Sequence, residues 1–209
     1  MSPIELWLAF VAASAILLII PGPTILTVIS YSVAHGRKAN VPLVAAVALG
    51  DSTALVLSLL GLGALLAVSA FWFTAVKLIG GLYLVYLGIR LFRAGILSTD
   101  AIAPAAPASR WRLFANTYLV TALNPKGMVF FVAFLPQFLD PAGDIRSQLW
   151  LLSATFVVLA TINATLYAVF AATARRILSS PRAQRRFNLT GGSLLTGAGI
   201  WALFAQRAA

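Results

Sequence analysis

The segment "LLIIPGPTILTV", residues 17 to 28, lies in a stretch with no charged residue between Glu5 and His35. Pro21, Gly22 and Pro23 interrupt what is otherwise an apolar helical run. A proline inside a helix removes one backbone hydrogen bond and clashes with the preceding turn, costing about 3 kcal/mol. Where such a run crosses a bilayer, no water is at hand to repair the exposed carbonyls. The two prolines therefore predict a broken helix whose freed backbone groups face protein or a wet cavity.

Six runs reach the roughly 20 apolar residues that a bilayer crossing needs. They are Ile4 to Ala34, Asn40 to Leu66, Phe71 to Leu91, Leu113 to Leu139, Gln148 to Ala174 and Phe187 to Ala205. The first holds 31 residues. A straight helix of that length measures roughly 46 Å, more than a hydrocarbon core of about 30 Å, so the first span must tilt or break. The expected fold is all-α, a polytopic membrane protein of six transmembrane helices. Composition agrees: 61% of residues are hydrophobic, 10% are charged, and the mean hydropathy is +0.95. A soluble domain would be about a quarter charged. The chain has no cysteine, which excludes disulfides and thiolate metal ligands, and its one histidine and five acidic residues argue against a metal site. The N-terminal run lacks a basic leader and carries Glu5, so it is expected to be a retained helix, not a signal peptide.

The formal charge of +10 could point to nucleic acid, but the basic residues fall between the apolar runs. Connections 1–2, 3–4 and 5–6 hold Arg37, Lys38, Arg90, Arg93, Arg110, Arg112, Arg175, Arg176, Arg182, Arg185 and Arg186, whereas the opposite side holds only Arg146 and Arg207. The positive-inside rule then puts those three connections in the cytoplasm and both termini outside. "STDAIAPAAPAS", residues 98 to 109, reads as a flexible cytoplasmic linker. The expected organisation is a first three-helix repeat over 1–97, a linker over 98–112 and a second three-helix repeat over 113–209.

Three spans per half make the second half enter the membrane from the opposite side, so related halves would form a 3+3 inverted repeat. Three matches support this. Span 1 has "IPGPT" and span 4 has "NPKGM", predicting broken helices 1 and 4. Span 2 has Asp51 near its middle and span 5 has Asn163. Span 3 has Gly80-Gly81 and Gly88-Ile89; span 6 has Gly191-Gly192 and Gly199-Ile200 at the same spacing. Inverted repeats whose discontinuous helices meet at the midplane are a recurrent transporter design. The plain alternative is that each proline merely kinks its helix for packing. Two symmetry-related breaks, each level with a polar residue on the next helix, favour a substrate site.

Asp51 is the only acidic residue deep in a span. A carboxylate there costs about 2.5–3.5 kcal/mol on insertion scales, which makes it a functional candidate by default. It could couple protons or hold a substrate ammonium; the structural alternative is a permanent ion pair with Lys126. Lys126, beside Pro125, could receive a substrate carboxylate or neutralise Asp51. Asn124 and Asn163 offer both donors and acceptors. Lys77 is expected to snorkel to the interface. Tyr83 and Tyr86 read as packing residues, the paired glycines as close helix contacts, and "FFVAF" after Lys126 as lipid-facing or core material.

"PGPTIL" in span 1, "HGRKA" in the first cytoplasmic loop, "LGD" in span 2 and "LNPKGMVFFVAFLPQF" in span 4 resemble the LysE/RhtB family of bacterial amino-acid exporters. The likeness covers essentially the whole chain. It implies export of amino acids such as lysine, threonine, homoserine or leucine from the cytoplasm, driven by an ion gradient. It also makes Pro21, Gly22, Pro23, Asp51, Asn124, Pro125 and Lys126 the family-motif positions.

Both lines lead to amino-acid efflux across the bacterial inner membrane. A zwitterion needs one acceptor-rich wall, offered by Asp51 and broken-helix carbonyls, and one donor-rich wall, offered by Lys126, the asparagines and freed amides. The expected mechanism is alternating access with proton antiport at Asp51. With one deep acid, neutral cargo is slightly favoured over lysine. The expected partners are the amino acid, protons and the lipid bilayer, without nucleic acid, cofactor or metal; a homo-oligomer is compatible with the pattern. A passive channel and a non-transport scaffold subunit stand as alternatives. The spans carry no Ser/His, Cys/His or paired-carboxylate set, which argues against an enzyme.

Overall fold

The computed structural model describes residues 2–66, 78–79, 82–83, 85–86, 88–90, 92–93, 108–140 and 142–205. These are helices and turns, with no strand among them. The elements are α1 (Pro3–Ile19), α2 (Pro23–His35), α3 (Asn40–Leu66), α4 (Arg110–Ala122), α5 (Pro125–Ala133), α6 (Ile145–Val169), α7 (Ala171–Leu178) and α8 (Pro181–Ala205). Short 3-10 turns occupy Gly36–Ala39 and Leu135–Phe138. The linker expected at 98–112 lies outside the described residues as far as 107, as do Lys77, Gly80 and Gly81.

Local chemistry starts the helices. Ser2 and Glu5 form a capping box on α1, each side chain accepting from the other's amide. Ser109 accepts from the Arg112 amide to start α4, Asn124 from Lys126 to start α5, and Asp144 from Arg146 to start α6. Pro23 and Pro125 occupy the first positions of α2 and α5, where a missing N–H costs nothing.

Both predicted breaks are present. Residues 20–22 separate α1 from α2, and residues 123–124 separate α4 from α5, where the axis bends by 43°. Several span ends differ from the sequence reading. The fifth span was expected to run on to Ala174, but α6 stops at Val169 because Phe170 leaves helical geometry (φ −100°, ψ 23°). The chain then turns into the short α7, which carries Arg175 and Arg176. Helix α8 begins at Pro181, a turn and a half before the expected Phe187, since a polar, arginine-bearing helical end can project beyond the hydrocarbon layer.

Side-chain contacts fix the directions of the helices. Asn124 bonds Thr24 at the start of α2, and the His35 ring at its end accepts from the Ala108 amide, so α2 runs opposite to α4. Thr53 meets the Tyr118 hydroxyl, and Leu43 packs with Leu113, so α3 runs alongside α4 in the same direction. Trp7 bonds Thr155 and Asn163 bonds Leu18, so α1 and α6 are parallel to each other. The basic Gly36–Ala39 turn, the start of α4 and α7 therefore share one end of the bundle.

Helix α6 shows why these helices suit lipid. Leu152, Phe156, Ala160, Ala164 and Ala168 are buried at four-residue steps, while Leu151, Val158, Ile162 and Leu166 lie exposed on the other face. Both faces are apolar, as a membrane-spanning helix requires. Away from the arginine-rich end, Phe10, Phe130, Phe131, Phe134, Phe138 and Phe156 pack into one aromatic core. This puts Phe130, Phe131 and Phe134 of "FFVAF" inside the protein. A second core, built on Val28, Leu43, Val47, Leu113 and Ala164, lies toward the arginine-rich end.

Helices α3 and α4 pack closely at Gly50. A Cβ built on Gly50 would lie 2.7 Å from Thr121 Cβ, whereas one on Gly61 meets nothing within 4 Å. Helix propensity alone would make alanine stabilising at both positions by roughly 0.5–1 kcal/mol. Gly50→Ala should instead lower the melting temperature of the purified protein in detergent, since overpacking costs about 1–3 kcal/mol. Gly61→Ala should hold or raise it. A stabilised Gly50→Ala would show that the α3–α4 contact is looser than described.

Candidate functional site

In a continuous helix the carbonyls of Leu17, Leu18, Ile19 and Ile20 would accept from the amides of residues 21 to 24. Pro21 and Pro23 have no N–H, which deletes the donors for Leu17 and Ile19 outright. The break carries Gly22 and Thr24 away from the other two. All four carbonyls are instead met by side chains. Lys126 Nζ donates to Leu17 O at 2.9 Å and to Ile20 O at 2.8 Å. Asn163 Nδ2 donates to Leu18 O at 3.1 Å, and the Tyr167 hydroxyl to Ile19 O at 2.8 Å. The positive Lys126 thus sits at the negative end of the α1 dipole, the favourable pairing.

The second break is tied to the first. Asn124 accepts from the Lys126 amide at 3.1 Å through Oδ1, and its Nδ2 donates to Thr24 Oγ1 at 3.2 Å. Lys126 folds over Gly22, where an added Cβ would meet Lys126 Cδ at 3.4 Å, an ordinary van der Waals contact. The Gly22 backbone is extended, with φ −105° and ψ −172°.

Between the breaks lies a cavity of about 50 Å³ whose polar lining is Thr24, Asp51, Asn124, Lys126 and Asn163, with Gly22 beside them. Of the residues singled out from sequence, Gly22, Asp51, Asn124, Lys126 and Asn163 are brought together here. Pro21 and Pro23 are not among the lining residues, and Pro23 is exposed; they act by withholding amide donors. Pro125 opens α5. Asp51 and Lys126 face each other electrostatically without an ion pair inside 4.0 Å, because the ammonium is turned onto the α1 carbonyls. The site therefore differs from the permanent pair weighed as an alternative.

Asn163 also lines a second cleft of about 310 Å³ with Ile19, Tyr167, Phe170 and Ala174, opening toward the arginine-rich end. The Tyr167–Ile19 bond stands where the two spaces adjoin. Sequence reasoning missed Thr24 and Tyr167. Tyr167 follows Asn163 by one helical turn, and that spacing was the available signal. Among the described residues no group of three or more His, Cys, Asp and Glu side chains could hold a metal ion.

An all-helical membrane chain with two helix breaks closed around a charged, largely buried cavity has the features of a translocator. Residues 15–206 match the LysE type translocator family, and the chain belongs to it. This is a family of transporters, not enzymes. The chain is 34% identical to an uncharacterised membrane protein of Vibrio cholerae, covering 94% of this chain and 96% of the relative. It is 31% identical to a homoserine/homoserine lactone efflux protein of Salmonella typhimurium, covering 98% of each. A leucine efflux protein of Klebsiella pneumoniae is 26% identical over 64% of this chain and 63% of its own length. No solved structure matches.

The carbonyl contacts predict a graded response. An orphaned acceptor costs about 1–3 kcal/mol where it is buried, and less at an exposed bond such as that of Tyr167 to Ile19. Lys126→Met, which orphans two, should lower the detergent melting temperature more than Tyr167→Phe, which orphans one. Equal effects would mean that the Lys126 bonds do not hold the break.

Proposed function

We propose that this protein exports amino acids from the cytoplasm in exchange for protons, with neutral cargo such as threonine, homoserine or leucine favoured. The observation that carries this reading is the shared cavity, in which an acidic and a basic side chain face each other across two helix breaks. The ammonium of the cargo is received by Asp51 and the free acceptor of Asn163. Its carboxylate is received by Lys126 and by the first amides of α2, at Thr24 and Ile25, which line the same space. Lys126 has three N–H donors and spends two on α1, leaving one for cargo. The names of the homoserine and leucine efflux relatives support a cargo without a second charge.

Proton exchange at Asp51 gives the coupling: deprotonated it holds the cargo ammonium, and protonated it releases it. A cavity of about 50 Å³ has room for little more than one or two waters, so cargo requires the walls to part. Opening toward the arginine-rich end breaks the Tyr167–Ile19 bond and joins the cavity to the cleft beyond Asn163. The halves 1–97 and 113–209 act as inverted three-helix repeats of a six-span bundle. The opposed directions of α1–α2 against α4–α5, and of α3 against α6, support this arrangement. By the positive-inside rule the arginine-rich end is cytoplasmic and both termini are outside.

Two experiments test the reading. In proteoliposomes with an imposed pH gradient, Asp51→Asn should remain in the membrane but lose uphill transport of radiolabelled homoserine or leucine, while wild type accumulates it. Normal uphill transport by Asp51→Asn would remove Asp51 as the proton carrier, and cargo flux without proton flux in wild type would favour a channel. For orientation, alkaline phosphatase should be active when fused after Ala209 and inactive when fused at Ala105. Equal activity at both positions would overturn the six-span topology.

A further inference from the structure

A second, larger space than the polar cavity is a groove on the side of the bundle. It lies between α1 and α8 and holds about 530 Å³. Arg182, Arg186, Thr190 and Leu194 line it from α8, Ile16 and Ile19 from α1, and Ile20 from the break that follows. Those four α8 residues recur at four-residue intervals, so they form one stripe that passes from cationic to apolar. We propose that this groove binds an anionic glycerophospholipid of the leaflet at the arginine-rich end.

Three observations select that occupant. The first is length. Arg182 to Leu194 spans about 18 Å of helix, close to the roughly 15 Å depth of one leaflet's hydrocarbon layer. The second is position. Ile19 and Ile20 belong to the α1 break beside Lys126, deep in the bundle, while Arg182 and Arg186 stand at the end that also carries Arg175 and Arg176. The cationic mouth therefore lies at headgroup level and the apolar floor at acyl-chain level. The third is charge: both ionised side chains lining the groove are arginines, and no acidic residue joins them. Guanidinium groups bind phosphate oxygens in a bidentate fork, and basic pockets between membrane helices are where anionic headgroups bind. Ile19 is 49% exposed and Leu194 44% exposed along the groove, enough free apolar surface for an acyl chain.

This inference needs only that the chain spans a membrane, and it stands or falls separately from the transport reading. The full chain is purified in mild detergent, mixed with phosphatidylglycerol or phosphatidylcholine, and weighed by native mass spectrometry. Wild type should retain phosphatidylglycerol and shed phosphatidylcholine. The double variant R182A/R186A should lose retention by roughly thirtyfold, the scale expected when two basic residues at a membrane surface are removed. R175A/R176A, which removes equal charge from outside the groove, should retain it. Leu194→Trp, which fills the apolar end and leaves the charge unchanged, should also lose it, and guards against misfolding of the arginine variant. Undiminished retention by R182A/R186A would overturn the proposal, as would equal binding of the two lipids. Loss of a second chain copy in place of lipid would assign the groove to dimerisation.

Discussion

Four consecutive carbonyls at the end of α1 set the terms for the rest of this protein. In water they would be solvated at no great cost. In the apolar interior of a membrane bundle each must find a donor, and two prolines ensure that the local backbone cannot supply them all. The donors come from α5 and α6, so the first helix is bound to two elements more than one hundred residues away. What reads locally as damage to a helix becomes a long-range constraint. Lys126, Asn163 and Tyr167 fix where α1 ends, and α1 in turn fixes where those side chains point.

The same constraint explains how charge is tolerated at that depth. Lys126 is held by the dipoles of two carbonyls and by the negative end of a helix, and this leaves Asp51 unpaired in the cavity. Had Asp51 served as the counter-ion, the two side chains would have neutralised each other in a contact that cargo of the proposed site would have to break. Separating them gives a cavity with one acceptor-rich and one donor-rich side. Asn124 adds a brace, since its oxygen starts α5 while its amide nitrogen holds Thr24 at the start of α2. Each helix break thus carries a polar side chain that secures the other.

Much of this was legible in the sequence, for identifiable reasons. Proline in an apolar run has one dominant physical consequence, and both breaks lie where "PGP" and "NPK" put them. The meeting of Asp51, Asn124, Lys126 and Asn163 could be anticipated because polar groups at membrane depth have few tolerable surroundings. Their hydrogen-bond partners could not. Whether Lys126 faces a carboxylate or a carbonyl depends on a few ångströms that no pattern of residue types encodes. Tyr167 escaped notice because tyrosine in an apolar helix reads equally well as packing; only the position of Ile19 O gives its hydroxyl a task. Pro21 and Pro23 were read as site residues, yet their part lies in the donors they lack. The end of the fifth span at Val169 was also hidden, since the residues after it are as apolar as those before.

The choice of lysine at position 126 follows from the number of donors the break demands. A glutamine could satisfy two carbonyls through its amide nitrogen, but it would bring no charge and leave no N–H for a ligand. An arginine has donors to spare, but its planar fork matches a carboxylate or phosphate better than two carbonyls from different residues of one helix end. The lysine ammonium presents three donors on a rotatable stem, two of which are occupied by Leu17 and Ile20. The third lets a single group serve both the fold and the proposed cargo site. That coupling has a mechanical consequence: a carboxylate arriving at Lys126 draws on the same cation that secures the end of α1. Weakening those two carbonyl bonds loosens α1 from α5, and the remaining ties at Asn163 and Tyr167 lie beside the second cleft. In the proposed cycle, cargo binding and the release of α1 are therefore one event at one ammonium group.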